Sequence, residues 1–451
     1  MFARAASCDV TPRDRPVRLA GYASRNAPAS TVLDPIEVAV VLLECAGRRC
    51  LIFSFDLMIV GSELRNMIQA RLARLGFAPR EVMLLASHTH YAPGTDSACA
   101  PLGMPEREFV SELADAAENL VRQMLKARPA EAGLEVFQGE LDHSINRRRH
   151  WPFPTVGRTY GLRLRSTSFA PNPSGPKAEQ ATLLLLRRAD DGKVLAVLWH
   201  YTCHPTAVVP ANVVSADYPG AVRAAIRKQY GAIPCLFMQG FCGDIRPNIE
   251  ASQPIGWRQR VRNTLRTMVS GPAFPSPSAE DWRRWSGDLA GAVCDIANRK
   301  PGKVLSPTSL RTGSARIPLS EFFVGTTPDK CLEAQVIQIG EAFEIVALSA
   351  EACVGWQRIL DEALPPEGLR LYAGYLGAVF GYLPTAAQVP EGGYEVEGFQ
   401  ALFGLSGHFV PGRIEPAIVG CLRRAFEDLE PKTRAIEMVP SPEHDQTAGH
   451  P

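Results

Sequence analysis

The chain has 451 residues, of which 46% are hydrophobic and 21% charged, a composition typical of a globular protein large enough to bury a substantial core. Its 48 lysines and arginines are balanced by 47 aspartates and glutamates. Because the sequence has neither a basic excess nor a long block of like charge, nucleic acid is not an expected partner. No apolar run approaches the roughly eighteen residues of a membrane span, so stable membrane association is not expected either.

The eleven cysteines are scattered, and none form a Cys-x-x-Cys pair. Several of them, among them Cys203, Cys235 and Cys294, lie in apolar surroundings, where a free thiol behaves as a small hydrophobic side chain. We therefore expect neither a disulfide framework nor a cysteine-based zinc site. The first ten residues lack the apolar core of a signal peptide, and together these features predict a cytoplasmic protein.

Strand-like and helix-like runs alternate along the chain. Short apolar runs predict strands, and apolar positions three and four residues apart predict helices. In chain order, the predicted elements are strands at Ile36–Leu43 and Cys50–Phe55, a helix at Glu63–Leu75, a strand at Val82–Ala86, a helix at Pro105–Lys126, a hairpin of Ala181–Leu186 and Val194–Trp199, a helix from Ala221, a strand at Ile233–Met238, a helix at Ser278–Asn298, and a hairpin of Cys331–Ile339 and Phe343–Leu348. The segments Ala170–Pro176 and Gly271–Pro277, rich in proline, serine and glycine, predict surface loops.

This interleaving predicts an α/β or α+β fold, with mixed sheets arranged in layers and functional loops at the strand ends. No shift in composition marks an internal domain boundary. We therefore expect one domain over residues 1–436, followed by a disordered tail over residues 437–451, which is polar and contains prolines. The sequence does not indicate an oligomeric state.

Two histidines, His88 and His90, follow the predicted strand Val82–Ala86. In α/β proteins, the residues that leave the carboxyl end of a buried strand commonly line a ligand site. Histidine is also the commonest metal ligand among the side chains that titrate near neutral pH. A metal or catalytic site is one interpretation of the pair, and two surface histidines on a loop are the other.

Two further strand ends carry chemically capable residues. His204 precedes Pro205, whose ring restricts the backbone of the preceding residue; a hydrogen-bonded core histidine is the alternative interpretation. Asp244 and Arg246 lie in a loop punctuated by glycine after the strand Ile233–Met238, and loops on rigid scaffolds commonly carry functional residues. Three such strand ends in one chain favour a shared functional site over simple packing.

Four short segments form a recognisable set: His88-Thr89-His90-Tyr91-Ala92-Pro93-Gly94, Ile145-Asn146-Arg147, His204-Pro205-Thr206 and Gly243-Asp244-Ile245-Arg246-Pro247-Asn248. Together they resemble motifs of the neutral/alkaline, non-lysosomal ceramidases, which are zinc-dependent amidases. The resemblance extends from about residue 3 to about residue 430 and implies a ceramidase-like catalytic domain over residues 1–436.

The resemblance also implies roles for individual residues. The implied zinc ligands are His88, His204, Glu351 and Tyr382. The implied catalytic residues, beside the scissile carbonyl and its oxyanion, are His90, Arg147 and Tyr394. The candidates for substrate binding are Asn146, Asp244 and Arg246. An acid favoured by a helix dipole remains an alternative for Glu351, and aromatic packing under a loop remains one for Tyr382 and Tyr394.

This set of residues is chemically coherent. Two imidazoles and one carboxylate are a common complement for catalytic zinc, and zinc can activate water and polarise a carbonyl. The expected function is zinc-dependent hydrolysis of an amide bond in a small molecule. The alternatives are the same metal site acting on an ester, lactone or cyclic amide, and a family member that binds a ligand without turnover.

The chain departs from the family at Arg246, which replaces a serine. It also ends near the end of the catalytic domain, without the immunoglobulin-like domain of the secreted ceramidases. Both differences argue against ceramide as the substrate. Arg246, together with Arg147, Arg148 and Arg149, can instead recognise an anionic or polar substrate, although we expect at least two of the last three to lie on a solvated basic face.

Overall fold

The computed structural model describes residues 1–151, 155–157, 161–163, 166–252, 261, 264–265, 273–299, 302–325 and 330–429. The predicted tail 437–451 lies outside these residues. The strands are β1 (Phe2–Asp9), β2 (Glu37–Cys45), β3 (Arg48–Phe55), β4 (Val82–Ala86), β5 (Ala130–Glu140), β6 (Ser144–Trp151), β7 (Thr155–Gly157), β8 (Gly161–Arg163), β9 (Ser166–Asn172), β10 (Gln180–Arg188), β11 (Val194–Tyr201), β12 (Cys235–Gln239), β13 (Ile245–Pro247), β14 (Lys303–Leu305), β15 (Leu310–Pro318), β16 (Phe323–Val324), β17 (Cys331–Ile339), β18 (Phe343–Leu348), β19 (Glu351–Ala352), β20 (Leu369–Ala373), β21 (Tyr382–Leu383) and β22 (His408–Phe409). Among the described residues, the helices of eight or more residues are α1 (Ser62–Ala73), α2 (Arg107–Lys126), α3 (Tyr218–Tyr230), α4 (Ala279–Arg299), α5 (Gly355–Ala363) and α6 (Pro411–Glu427).

Two sheets pack face to face in the middle of the protein. The larger has the order β12-β11-β10-β5-β1-β2-β3-β4, with β14 beside β5, and the smaller has the order β15-β17-β18-β20. Successive side chains of a strand point to opposite faces, so each strand contributes to two cores. In β2, Val41 and Leu43 lie in the core between the sheets, whereas Val40 and Leu42 face the helices.

Helices cover the outer faces of both sheets. α2 packs on β1 and β2, and α1 packs against α2. α3 and α4 pack against each other and on the β10–β12 part of the same sheet, and α6 covers β15 and β17 of the second sheet. The result is a layered arrangement of helix, sheet, sheet and helix, which confirms the predicted mixed α and β fold. None of the helices in the described ranges has the length and apolar character needed to span a bilayer.

Within the two packed sheets, three neighbouring pairs of strands are parallel, namely β3 with β4, β11 with β12, and β18 with β20. The larger sheet also curls strongly enough that Ser54 on β3 donates a hydrogen bond to the carbonyl of Phe237 on β12, at 2.7 Å. The carboxyl ends of these pairs therefore open toward one region, where ligand sites of α/β folds are commonly found.

The boundaries predicted from periodicity agree closely with the structure. Val82–Ala86, Cys331–Ile339 and Phe343–Leu348 are strands with those limits. The helix predicted from Ala221 begins three residues earlier, because the Asp217 carboxylate accepts the backbone N–H of Tyr218 and caps its amino end.

The predicted loop Ala170–Pro176 is partly wrong. β9 continues through Asn172 and pairs with β6. The pairing with β6 satisfies the backbone N–H and C=O groups of β9. The local content of proline, serine and glycine had suggested that these groups would face water. Of the predicted loop Gly271–Pro277, residues 273–277 have no regular structure and the first two residues lie outside the described part of the chain.

A buried ion pair joins the end of β3 to α3. Arg223 Nη1 lies 2.6 Å from Asp56 Oδ2, and both side chains are almost completely buried. We expect Arg223→Ala to lower the free energy of unfolding by about 3–5 kcal/mol, because Asp56 is left buried and uncompensated. Arg299→Ala is the control, since Arg299 forms an exposed pair with Asp295 and should change stability by less than about 1 kcal/mol. Urea denaturation measures both values, and equal effects would contradict this account.

Candidate metal centre

His88 leaves the end of β4 in an unusual backbone conformation, with a φ of 66°. A non-glycine residue in this left-handed region is uncommon and is often found at functional sites. The ring is buried, and its Nδ1 lies 2.8 Å from the carbonyl oxygen of Met58. Because a carbonyl can only accept, the proton is on Nδ1, and Nε2 carries a lone pair in the neutral ring.

His204 follows β11 and is held in the same way. Its Nδ1 lies 2.6 Å from the carbonyl oxygen of Cys242 and 2.8 Å from that of Ile245. Its Nε2 is buried and makes no hydrogen bond within the structure. Burial lowers the pKa of His204 to about 4, so the neutral ring directs an unprotonated Nε2 into the site.

Glu351 forms the short strand β19, which pairs in parallel with β21 so that Glu351 is opposite Tyr382. The Oε2 atom of Glu351 lies 3.2 Å from Nε2 of His88 and 3.4 Å from Nε2 of His204. A buried carboxylate and two imidazole lone pairs thus converge.

These atoms fit a metal ion. Two nitrogen lone pairs and a carboxylate oxygen repel one another at this range unless a cation or a proton lies among them. Burial lowers the pKa of His204 to about 4, which disfavours a proton on the Nε2 atom of that ring. The backbone carbonyls bonded to Nδ1 of His88 and of His204 are the outer partners that orient metal-binding histidines in proteins.

His90 adds a third imidazole to the cluster. Its Nε2 lies 3.2 Å from Nε2 of His88, and the ligand atoms of His88, His90 and His204 all lie within 4.8 Å of one another, a grouping that can hold a metal ion. Gly21, with a φ of 111°, permits this placement, because a Cβ atom there would lie 2.5 Å from Cγ of His90. Unlike the other two histidines, His90 has no partner on its Nδ1.

Tyr382 and Tyr394 lie on one side of the cluster. The Tyr382 hydroxyl accepts a hydrogen bond from Nη2 of Arg147 at 3.1 Å. Burial and the nearby Glu351 raise the pKa of Tyr382 well above its ordinary value, against the opposing effect of Arg147. The Tyr394 ring lies 5.3 Å from the Tyr382 ring, and burial, with a further contribution from Glu351, raises the pKa of Tyr394 to about 12.

The expectation of a solvated face at Arg147–Arg149 is wrong. Arg147 and Arg148 are 5% and 6% exposed, and each lies 2.8 Å from one oxygen of the Glu395 carboxylate. Arg148 also contacts the half-exposed Glu391 at 3.1 Å. A buried acid that bridges two guanidinium groups compensates for the cost of their desolvation, and a carboxylate distant in sequence could not be anticipated from the arginine run.

Asn146 and Asp244 are also buried, and their polar atoms bind the protein itself. Asn146 Nδ2 donates to the carbonyl of Pro176 at 2.9 Å and to Asp244 Oδ2 at 3.2 Å. Asp244 Oδ1 accepts the backbone N–H of Val354 at 2.7 Å. These bonds join β6 to the loop before β13 and to the segment before α5.

Arg246 lies on β13, half-buried between aromatic rings. Its guanidinium carbon lies 4.1 Å from the ring centroid of Phe274 and 5.9 Å from that of Phe169. Its Nε is buried without a hydrogen-bond partner. Burial, with the nearby charge of Arg147, lowers the pKa of Arg246, so its environment opposes the positive charge.

Two solved structures share this fold. A neutral ceramidase from Pseudomonas aeruginosa matches with a TM-score of 0.72 and 17% identity, covering 96% of this chain and 76% of that chain. The fold is that of a ceramidase. A second structure, of a ceramidase complexed with C2, matches with a TM-score of 0.69 at 17% identity, with the same coverage of both chains. The resemblance inferred from the motifs is therefore confirmed for the fold, although no family model and no curated protein sequence matches the chain.

Two residues of this ceramidase-fold site were missed in the sequence analysis. The Tyr375 ring stacks on His88 with a centroid distance of 4.0 Å, and its hydroxyl lies 3.5 Å from Glu351 Oε2. Glu395 supplies the charge between the two buried arginines. Tyr375 follows the strand β20, and this position at a strand end could have indicated a site residue from the sequence. The sequence around Glu395 has no comparable feature.

The two acids that contact Arg148 allow a matched test of this site. Glu395→Ala should lower the free energy of unfolding by about 3–5 kcal/mol, because Arg147 and Arg148 are left buried without their common partner. Glu391→Ala removes a 39% exposed side chain from the same guanidinium and should cost less than about 1 kcal/mol. Chemical denaturation of the two variants measures the difference. A small effect of Glu395→Ala would show that the arginines do not need this compensation.

Proposed function

We propose that the protein is a zinc-dependent hydrolase of an amide bond in a small molecule. The observation that carries the proposal is the convergence of Nε2 of His88, Nε2 of His204 and Oε2 of Glu351 within 3.2 and 3.4 Å. The ceramidase fold supports an amide as the substrate bond, because both of the solved structures compared above are ceramidases. All eleven cysteines are free, which supports a reducing, cytoplasmic environment.

In this proposal His88, His204 and Glu351 hold the metal, and Tyr382 is the fourth ligand. The two histidines are oriented by backbone carbonyls, and Tyr382 is opposite Glu351 in the pairing of β19 with β21. When bound, zinc supplies a Lewis acid that polarises a carbonyl and lowers the pKa of water. His90 completes the cluster in space, and its buried Nδ1 lies beside Gly21 without a hydrogen-bond partner among the described residues.

The remaining residues bind and orient the substrate carbonyl. Arg147 donates to the Tyr382 hydroxyl and positions that phenol, while His90 and Arg147 flank the carbonyl. Tyr394, whose pKa is raised to about 12 by burial, stays protonated near neutral pH and can donate a hydrogen bond to the oxyanion. Asn146 and Asp244, which bind each other, hold the strands beneath the site, and Arg246 is the candidate for direct contact with substrate.

Metal content tests the ligand assignment. The purified wild type, supplied with zinc, should contain about one zinc per chain, and His88→Ala should lose both the metal and the hydrolysis of amides. His150→Ala is the control, since His150 is an exposed residue on β6 and should retain both. Elemental analysis by mass spectrometry measures the content. Stoichiometric metal in His88→Ala, or none in the wild type, would exclude this ligand set.

Tyr394→Phe separates transition-state stabilisation from metal binding. The variant should retain its zinc and lose on the order of a hundredfold in turnover, as other sites do when one oxyanion donor is removed. Tyr230→Phe, which removes a partly buried hydroxyl at the end of α3, should leave turnover unchanged. A panel of amides, esters and lactones provides the rates. Unchanged turnover in Tyr394→Phe would assign Tyr394 to packing, and cleavage of only esters or lactones would replace the amide as the substrate bond.

A further inference from the structure

A small cavity lies beside the candidate metal centre. It has a volume of about 160 Å³, and its lining includes Tyr22, Val208, Ile249, Arg246 and Phe274. Most of these walls are apolar or aromatic, and Arg246 is the charged residue among those that line it. An apolar concavity with one or a few well-placed polar groups is the usual form of a small-molecule site.

The cavity lies next to the metal cluster, and residues of its wall contact the cluster. The Tyr22 ring lines the cavity and contacts the His90 ring edge-on, with centroids 5.0 Å apart. Arg246 directly follows Ile245, whose carbonyl oxygen accepts from Nδ1 of His204. The cavity therefore adjoins the imidazole cluster, and the Tyr22 ring forms part of the wall between them.

Arg246 has no carboxylate partner within 4 Å among the described residues, in contrast to the other arginines of the site. Arg147 and Arg148 share the carboxylate of Glu395. The Arg246 guanidinium carbon lies 4.1 Å from the ring centroid of Phe274 and 5.9 Å from that of Phe169, and its Nε is buried without a hydrogen bond to a described residue. A half-buried cation with no counter-charge is costly, and an anionic ligand would remove that cost.

The surroundings of the cavity add positive rather than negative charge. Arg25 lies over the Tyr22 ring at 4.9 Å and donates only to backbone carbonyls, including that of His90. Burial raises the pKa of Tyr22, and the acid that adds to this effect is Asp217. Its carboxylate is already bonded to backbone N–H groups and to the Trp282 indole, and burial raises its pKa to about 6.

We propose that Arg246 binds a carboxylate in this cavity, so that the substrate is a compact amide that carries a carboxylate near the scissile bond. This inference rests on the proposed hydrolase function. Nε of Arg246 donates no hydrogen bond to a described residue, and the planar fork of a guanidinium matches the two oxygens of a carboxylate. Because Arg246 carries a single positive charge without a carboxylate partner among the described residues, a ligand with a single negative charge would balance it. The cavity is also smaller than the roughly 300 Å³ of ordinary ligand sites, so long-chain ceramide should be a poor substrate.

Binding of uncleavable analogues tests the proposal without relying on turnover. The probes are N-butylsulfonylglycine and 3-(butylsulfamoyl)propanoic acid, which place the carboxylate on the amine side and on the acyl side, each compared with its neutral primary amide. Calorimetric titration of the full chain, with its metal content measured, should show one acid binding about ten- to a hundredfold more tightly than its amide, as expected for charge-assisted hydrogen bonds.

Variants assign that preference to one side chain. Arg246→Ser should abolish it, and Arg246→Lys, which keeps the charge but not the fork, should retain only part of it. Arg149→Ser is the control, because Arg149 donates to the carbonyl of Pro171 outside the cavity, and it should keep the full preference. If Arg246→Ser fails to fold, Arg246→Gln and Arg246→Lys provide the comparison.

The outcomes separate this inference from the proposed function. Equal binding of acids and amides by the wild type, or a preference that persists in Arg246→Ser because the carboxylate binds the metal, would overturn the inference even if neutral amides are hydrolysed. A preference that depends on Arg246 in a protein that hydrolyses no amide would support the inference and refute the hydrolase.

Discussion

The convergence of unprotonated imidazole nitrogens on a buried carboxylate is the constraint on which the site depends. His88 and His204 direct Nε2 at Glu351 because backbone carbonyls accept the proton on each Nδ1. The carbonyls of Met58 and Cys242 lie in the segments after β3 and after β12. The tautomers of the two histidines are therefore set by backbone atoms and not by other side chains. The left-handed backbone of His88 is a local strain that the surrounding contacts must support.

The arginines around this cluster divide into two kinds. Arg147 and Arg148 are compensated by Glu395, so their charges do not require an anionic ligand, and Arg147 orients the Tyr382 hydroxyl. Arg246 lacks such a carboxylate among the described residues and faces a cavity. Compensation by an internal acid removes the demand for a ligand, whereas its absence leaves that demand to be met by substrate. The extent of burial alone would not distinguish Arg147 and Arg148, which have an internal acid, from Arg246.

Periodicity in the sequence predicted the strands well because each strand contributes to two apolar cores and is apolar along its length. Val82–Ala86 is such a run, and the histidines that follow it could therefore be assigned to a strand end. Contacts between distant segments could not be predicted in this way. The burial of Arg147 depends on Glu395, 248 positions away, and the stacking of Tyr375 on His88 depends on the packing of one sheet against the other. Local composition contains no information on such pairs.

The strand β13 contributes to the site in two separate ways, since its backbone orients His204 and one of its side chains lines the cavity. The carbonyl of Ile245 orients His204, and a backbone carbonyl is present whatever side chain follows. The next side chain, that of Arg246, projects between Phe274 and Phe169 and makes no hydrogen bond through Nε. A change of residue at position 246 therefore alters charge and shape in the cavity while the bond to His204 stays in place. A scaffold built in this way can keep His204 in place while the side chain at position 246 changes, which accounts for an arginine in a ceramidase fold where the resembling family has a serine.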